Sequence, residues 1–452
     1  MLRKLRTGAL LALSVWSLGA AAAQTASQSA WLAKQRAATE KAESILGEAQ
    51  KRPGLLSQYQ FMLDNYVSAK DKAFRLIFGQ YVAWYQTYLG IYDSTRTTFS
   101  IRQPAEKDDA SSPLEGRDYT AQPAADAIAV LARGRKAVFF NEAHTAPVTR
   151  TLTVQMLARL RADGFDTFAA ETLYSTDKDL ATRGYPVAES GFYTKEPIYA
   201  EMVRTALKLG YRVIAYEAES NATGDAREAE QARNLYQRAF KEHPEARLVV
   251  NAGYAHIVES GAYLGGMSMA QHFRKISGID PLTVEQTMLI PHDTPDKDHP
   301  YYRAVIERLH PTTPIVFVHK DGTPWSLKAG YDLSVFFPEE ALRRSRPTWA
   351  SIGGLRVPYF VSSDMCSNNY PCLIEARYAD EGDDAIPADR AMLYPIAANV
   401  AAVERTLRLK TEPTTDLYLR PGRYRLTATS IDNRLLSRRD ILVQVGNVDT
   451  AP

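Results

Sequence analysis

Four apolar runs of the sequence lead to residues that can take up or release a proton. In chain order, the residues that they reach are Glu142 and His144, then Glu171, Glu217 and His256. Carboxylates and imidazoles act as general bases and acids, and the same side chains are common ligands of divalent metal ions. We therefore expect an active site or a metal site where these runs end.

The middle of the chain alternates strand-like and helix-like patterns. Strands are predicted at residues 137–140, 166–170, 212–216, 247–251, 283–290, 315–318 and 333–337. Helices are predicted at residues 124–131, 148–162, 197–209 and 226–241. This alternation predicts an α/β fold with a mainly parallel sheet flanked by helices. Because ligands of such folds lie outside the carboxyl ends of the strands, the ionisable residues should meet at one edge of the sheet.

These residues suit two kinds of chemistry. In the first, His144, Glu171, Glu217 and His256 bind a divalent metal ion that keeps an open position for water. In the second, a histidine without metal is a general base that a glutamate orients. Each residue alone is more often structural, but their shared position at strand ends favours a common site. The sequence leaves the choice between the two chemistries open.

Three short motifs resemble one superfamily of α/β proteins. They are Asn-Glu-Ala-His at 141–144, Glu171, and Gly-Tyr-Ala-His at 253–256 after a helix that contains Arg233 and Arg238. Their order and strand context are similar to the superfamily that groups erythromycin esterase-like hydrolases, ChaN-like haem-binding proteins and TraB/Tiki-type proteases. The resemblance covers roughly residues 118–340.

The branches of this superfamily imply different roles for the same residues. The esterase branch would make His144 the general base, with Glu142 and Glu171 in support. The Tiki-type branch would make His144, Glu171 and His256 residues of a metal site. The ChaN-like branch implies that the chain binds haem or iron.

Two further residues are predicted to bind substrate. Arg150, at the start of the following helix, can bind an anionic group or an oxyanion, or can form a salt bridge with Glu142 or Glu171. Asn141 stands where the first motif of the superfamily has glycine, which removes a conformationally free backbone position.

Three regions frame the α/β core, which we assign to residues 123–346. Residues 24–96 carry apolar and tyrosine-rich stripes at helical spacing, which fit a helical region packed on the core or a platform for haem or a sugar; we favour packing. Residues 97–122 lack periodicity and are predicted to be a linker. Residues 347–452 have short alternating runs and a Pro-Gly turn, which predict a β-rich domain.

Residues 1–23 have the pattern of a cleaved secretory signal peptide, with a basic start, a short apolar run and a small-residue cleavage site. No cysteine stands at that site, and no apolar run is long enough for a transmembrane anchor. We expect a periplasmic or secreted protein, in which Cys366 and Cys372 form a structural disulfide.

The charge and the motifs exclude two classes of ligand. Cleavage would remove three basic residues and no acidic one, so the formal net charge would fall from +2 to −1. A near-neutral chain is unlike a nucleic-acid-binding protein. No Walker loop and no G-x-G-x-x-G after a strand occur, so we expect no nucleotide cofactor.

Three functions follow from the sequence as hypotheses. The first is an exported hydrolase of an ester or amide bond in a small molecule or peptide, in which His144 or a bound metal activates water. The second is a haem- or iron-binding protein that uses the same core. The third is a non-catalytic scaffold that binds a partner in the cell envelope.

Overall fold

The computed structural model of the chain describes residues 26–92, 108–292, 294–394 and 413–444, and side chains from residue 33 onward. The predicted signal peptide, residues 1–23, lies outside the described residues. The end of the predicted helical region and the start of the predicted linker, together residues 93–107, also lie outside them. The protein is an α/β protein with an N-terminal helical region and a C-terminal β-rich part.

A six-stranded parallel sheet forms the centre of the α/β core. In order across the sheet, its strands are β4 (Arg212–Ile214), β3 (Thr167–Ala170), β5 (Leu248–Gly253), β2 (Ala137–Glu142), β6 (Leu282–Glu285) and β8 (Leu333–Ser334). All neighbouring strands are parallel. Every residue of β2, β3, β5 and β6 is buried, as expected for strands with packed elements on both faces.

In its described residues, the N-terminal region has three helices: α1 (Ala26–Gln50), α2 (Leu55–Ser68) and α3 (Lys72–Tyr88). Helix α2 ends at Ser68, and α3 begins after Asp71. The side chain of Asp71 caps α3 by accepting hydrogen bonds from the amides of Ala73 and Phe74. The predicted stripe of α3 is buried throughout, which confirms the packing interpretation. The stripe of α2 is buried only in part, since Val67 is 68% exposed.

Helices join and flank the strands of the core. They are α4 (Ala124–Ala132), α5 (Val148–Ala162), α6 (Leu180–Arg183), α7 (Pro197–Lys208), α8 (Asp225–Phe240), α9 (Met269–Ser277) and α10 (Pro300–Leu309). The predicted helices match α4, α5, α7 and α8 to within one residue at each end. None of the helices in the described ranges has both the length and the apolar character that crossing a bilayer requires.

One strand pair departs from the prediction. β1 (Tyr119–Pro123) begins inside the predicted linker and pairs antiparallel with β7 (Ile315–His319), outside the parallel sheet. The residues of β1 read YTAQP and lack the apolar alternation that marks a strand. Their conformation depends on β7, which is far away in the sequence.

The C-terminal β-rich part is antiparallel. Over residues 342–394 and 413–444, its strands are β9 (Leu342–Arg343), β10 (Arg346–Pro347), β11 (Val357–Val361), β12 (Cys372–Tyr378), β13 (Asp389–Leu393), β14 (Thr415–Leu419), β15 (Gly422–Ser430) and β16 (Leu435–Val443). The predicted turn at Pro421-Gly422 falls where β15 begins, shortly after β14, but β14 and β15 pair with different neighbours. Cys366 and Cys372, both buried, form a disulfide.

Candidate active site

The carboxyl edge of the parallel sheet brings the predicted ionisable residues together. Glu142 is the last residue of β2, and Glu171 follows β3 directly. Glu217 lies three residues beyond β4, and His256 lies in a single 3-10 turn after β5. We call this group, together with His144, the rim. The rim forms because adjacent parallel strands end at the same edge of the sheet.

A buried carboxylate holds His144. Glu142 is fully buried, and its Oε1 lies 2.9 Å from His144 Nδ1. Arg150 donates to the same carboxylate from Nε, at 2.7 Å from Oε2, and from Nη2, at 2.8 Å from Oε1. Asn251 Nδ2 adds a donor 2.7 Å from Oε2. The carboxylate therefore accepts hydrogen bonds on both oxygens.

The charge of Glu142 determines which nitrogen of His144 carries the proton. Burial alone would raise the pKa of Glu142, but the charge and hydrogen bonds of Arg150 outweigh burial and hold the pKa well below its ordinary value. An ionised carboxylate can only accept, so His144 Nδ1 must donate. In the neutral imidazole, Nε2 then has a free lone pair, which is the form that a general base needs.

Arg150 is itself fixed from a second side. Its Nη1 donates to Glu196 Oε2 at 2.9 Å, and its side chain has no exposed surface. Glu196 also caps α7 and accepts from Tyr92 Oη at 3.0 Å. Of the roles predicted for Arg150, the structure shows the salt bridge with Glu142, extended by Glu196, which the sequence did not indicate.

Asn141, the other residue predicted to bind substrate, is fully buried inside β2. Its side-chain amide donates to the carbonyl oxygen of Tyr254 at 2.9 Å and accepts from the amide of Gln286 at 2.6 Å. These contacts tie β2 to neighbouring segments and do not support contact with substrate. Asn141 has no positive φ, so the freedom of a glycine is not required here.

Glu171 and His144 approach each other over Gly253. A Cβ added to Gly253 would lie 2.5 Å from His144 Nε2 and 2.8 Å from Glu171 Oε2. The amide of Gly253 donates to Glu171 Oε2 at 2.5 Å. Only glycine leaves room for both side chains, so Gly253 belongs to the site although its φ of −76° suits any residue.

The second histidine, His256, is also held by a carboxylate. Its Nδ1 lies 2.7 Å from Glu228 Oε2, and its Nε2 lies 3.5 Å from Glu171 Oε1. Burial would lower the pKa of His256, but the charges of Glu228 and Glu171 outweigh burial and raise it. For Glu171, burial is outweighed by His256, His144 and Arg227, which lower its pKa. Both histidines thus favour the charged form of Glu171, and His256 lies 3.5 Å from its Oε1.

Helix α8 positions Glu217 through one face. Donors at i, i+4, i+7 and i+11 reach the segment 215–217 that follows β4; they are Arg227, Gln231, Asn234 and Arg238. Arg227 Nη2 lies 2.9 Å from Glu217 Oε1 and 3.4 Å from Glu171 Oε1. A guanidinium therefore links two of the predicted metal ligands.

Aromatic rings cover both histidines. Tyr193 stacks on His144 at a centroid distance of 4.2 Å, and Tyr254 meets the same ring edge-on at 4.9 Å. Tyr263 meets His256 edge-on at 5.3 Å. Such rings restrict the position of each imidazole and its access to water.

The four predicted metal ligands meet at the rim but have other partners. Arg227 pairs with Glu171 and Glu217, and Glu228 holds His256. Over the described residues, no group of three or more His, Cys, Asp or Glu side chains has an arrangement that could hold a metal ion. The residues present do not fit a metal centre in this conformation, and metal binding stays a prediction.

Sequence reasoning missed Arg227, Glu228, Glu196 and Gly253. One signal was available for the first two: the first turn of a helix that follows a parallel strand lies at the carboxyl edge of the sheet. Gly253 was visible as part of the second histidine motif, but its steric role depends on β2 and β3. For Glu196 no sequence signal was available, because it lies 46 residues from Arg150.

No protein-family model matches the chain, and no curated protein matches it. Several solved structures match part of the chain. One described as bacterial protein toxins has 17% identity over 36% of this chain and 37% of that chain, with a TM-score of 0.30. The type III effector HopBA1 has 13% identity over 40% of this chain and 86% of that chain, with a TM-score of 0.27. RRSP, a MARTX toxin effector domain from Vibrio vulnificus, has 15% identity over 50% and 51% of the two chains, with a TM-score of 0.28. The chain spans little more than a third of the first of these structures. Likenesses this weak carry no argument about function.

Proposed function

We propose that the chain hydrolyses an ester or amide bond and that His144 is the general base that activates the attacking water. One observation carries this proposal: the fully buried Glu142, held by Arg150, accepts a hydrogen bond from His144 Nδ1. A fixed, ionised carboxylate sets the tautomer and orientation of the imidazole and stabilises the imidazolium that forms during the reaction.

The proposed reaction proceeds by one proton transfer in each direction. His144 Nε2 takes a proton from water while the water oxygen bonds to the acyl carbon of the substrate. The bond from that carbon to the leaving oxygen or nitrogen then breaks, and His144 returns the proton to the leaving group. Glu171 helps to orient the water, and His256, whose Nε2 lies 3.5 Å from Glu171 Oε1, donates a hydrogen bond to the oxygen that gains charge.

Replacement of His144 tests the proposal. We expect His144→Gln to lower kcat/KM on a panel of p-nitrophenyl esters and p-nitroanilides by about a hundredfold or more, because the base is lost. His243→Gln, at an exposed histidine, is the matched control and should retain wild-type rates. If His144→Gln folds normally by circular dichroism and retains turnover, His144 is not the general base.

Chelation separates this mechanism from the metal-dependent one. The proposal expects turnover by protein purified without added metal to survive dialysis against EDTA. Loss of turnover on dialysis and its return with one added divalent metal would replace the general base with metal-activated water.

The same protein tests the two alternative functions. A Soret band on addition of haem that persists in His144→Gln would favour haem binding. Wild-type function in cells of a Glu142→Gln, His144→Gln double variant would favour a scaffold. The tyrosines of α3, which the sequence offered as a platform for haem, are buried against the core, and no contact of the described residues favours either alternative.

A further inference from the structure

The rim carries an excess of negative charge. The carboxylates at and around it are Glu142, Glu171, Glu196, Glu217 and Glu228, and the guanidinium groups paired with them are Arg150 and Arg227. Five carboxylates therefore face two guanidinium groups and two histidines. Because the carboxylates outnumber the positively charged groups, this buried site favours a ligand that brings positive charge.

Three buried oxygen atoms next to the rim accept no hydrogen bond from the residues that the structure describes. They are Glu217 Oε2, Glu228 Oε1 and Gln231 Oε1. The other polar atom of each side chain is used: Gln231 Nε2 donates to Glu217 Oε1 at 2.7 Å, and Glu228 Oε2 accepts from His256 and from the amide of Met269. Glu228 and Gln231 have no exposed surface. A buried acceptor without a hydrogen bond costs free energy. A bound group that donates hydrogen bonds to these oxygens would therefore be stabilised here.

The position of these oxygens relates them to the reacting groups. Glu228 holds His256, whose Nε2 lies 3.5 Å from Glu171 Oε1, and Glu217 joins Glu171 through Arg227. Arg227 forms an ion pair with Glu228 but no hydrogen bond to its Oε1, because the Nη1–Oε1 distance is 3.7 Å. Glu228 thus contacts one of the two histidines that the proposed hydrolysis uses, and Glu217 is linked through Arg227 to Glu171.

Tyrosine rings accompany the unmet acceptors. Tyr174, which is 37% exposed, has its pKa raised by burial and by the charge of Glu217. Tyr263 packs on His256. Aromatic rings near carboxylates are common in sites that bind organic cations.

From these observations we infer that the substrate carries a protonated amine close to the scissile bond, and that Glu217, Glu228 and Gln231 bind it. An ammonium group supplies both properties that the cluster lacks, namely three hydrogen-bond donors and one positive charge. This inference rests on the proposed function, because it names the class of substrate that the same site hydrolyses.

Matched amides test the inference. The substrates are the p-nitroanilides of N-acetyl-lysine, N-acetyl-norleucine and N-acetyl-glutamate, whose side chains are respectively cationic, neutral and anionic. We expect kcat/KM for the lysine compound to exceed that for the norleucine compound by about tenfold, and the glutamate compound to be the poorest. A tenfold ratio corresponds to about 1.4 kcal/mol of differential binding in the transition state.

A pair of variants assigns the preference to the cluster. Glu217→Gln should bring the lysine-to-norleucine ratio close to one, because one charge of the proposed amine site is lost. Glu245→Gln is the control, since Glu245 is 94% exposed and lies beside Lys136, which precedes β2 at the amino edge of the sheet; it should leave the ratio unchanged. Preference for the neutral or anionic compound, or an unchanged ratio in Glu217→Gln, would overturn the inference while hydrolysis itself stands.

A binding measurement separates failure of the inference from failure of the proposed function. Saturation-transfer NMR on wild-type protein should detect N-acetyl-lysine methylamide and not N-acetyl-norleucine methylamide, and Glu217→Gln should abolish the signal. If this result is obtained but none of the amides is hydrolysed, hydrolysis is wrong and the amine site stands. If the lysine compound is neither hydrolysed nor bound, the amine site is wrong.

Discussion

At the scale of single residues, space matters as much as charge. Gly253 has no ionisable group, yet His144 Nε2 and Glu171 Oε2 both lie within 3 Å of the point where a Cβ would stand. Any larger residue at this position must push one of the two side chains away. The backbone amide of Gly253 also donates a hydrogen bond to Glu171. A shift of Gly253 would therefore change both the position of the Glu171 carboxylate and the hydrogen bond that it accepts.

The substitution Gly253→Ala is expected to lower kcat/KM by about a hundredfold, because a displacement of about 1 Å between reacting groups has effects of this size. The melting temperature should fall only modestly, since φ at this position suits alanine. Gly134→Ala is the matched control, because nothing lies within 4 Å of the added methyl group. Equal activities of the two variants would contradict the steric role of Gly253.

At the scale of elements, the N-terminal helical region reaches the rim through hydrogen bonds. Tyr92, just beyond α3, donates to Glu196 at the start of α7, and Glu196 accepts from Arg150 on α5. Arg150 in turn holds the Glu142 carboxylate that orients His144. Tyr88 Oη supports the same region by donating to the carbonyl oxygen of Phe192 at 3.1 Å. The helical region is therefore expected to influence turnover as well as stability.

Tyr92→Phe removes one hydroxyl from this chain of contacts and should lower both stability and turnover. We expect a loss of about 1.5–3 kcal/mol in the free energy of unfolding, since the acceptor is charged, and a several-fold fall in kcat. Tyr85→Phe is the control, because its hydroxyl donates to Gln58 within the helical region at 3.2 Å. A purely structural role for Tyr92 would give similar stability losses and no difference in kcat.

At the scale of the whole molecule, buried ion pairs join the core to the C-terminal β-rich part. Glu201 on α7 pairs with Arg356, at 3.1 Å, and with Arg420, both from the C-terminal part. Burial would raise the pKa of Glu201, but Arg356, Arg420 and Arg204 lower it to about 2. Removing one partner of a buried pair is costly because the other charge remains.

This pairing makes stability depend on pH in a definite direction. The folded pKa of Glu201, about 2, lies below its ordinary value of 4.5. The stabilisation is therefore complete above about pH 4.5 and is lost as the pH falls toward 2; it amounts to about 3 kcal/mol over this range. Urea unfolding of wild-type protein and of Glu201→Gln at pH 7 and pH 3 measures it.

The two proteins should differ strongly at pH 7 and less at pH 3. Glu245→Gln, whose side chain is 94% exposed, is the control and should follow the wild type at both values. A constant difference between wild type and Glu201→Gln would show that this carboxylate is not responsible for the pH dependence.

The sequence by itself determined the parallel sheet and the meeting of Glu142, Glu171, Glu217 and His256. Alternating apolar strands and amphipathic helices restrict the chain to an α/β arrangement, and parallel strands must end at a common edge. The local pattern was also sufficient for the bounds of α4, α5, α7 and α8.

Only the tertiary structure decided how these residues are held. Glu196 meets Arg150, and Glu228 meets His256, across separations of 46 and 28 residues. Such contacts depend on the rotation of α7 and α8 against the sheet, which is set by packing over the whole interface. Strand β1 is a further example, since its pairing comes from β7. The periodicity of a sequence specifies which face of an element is buried, but the partners of each side chain depend on the elements that pack against that face.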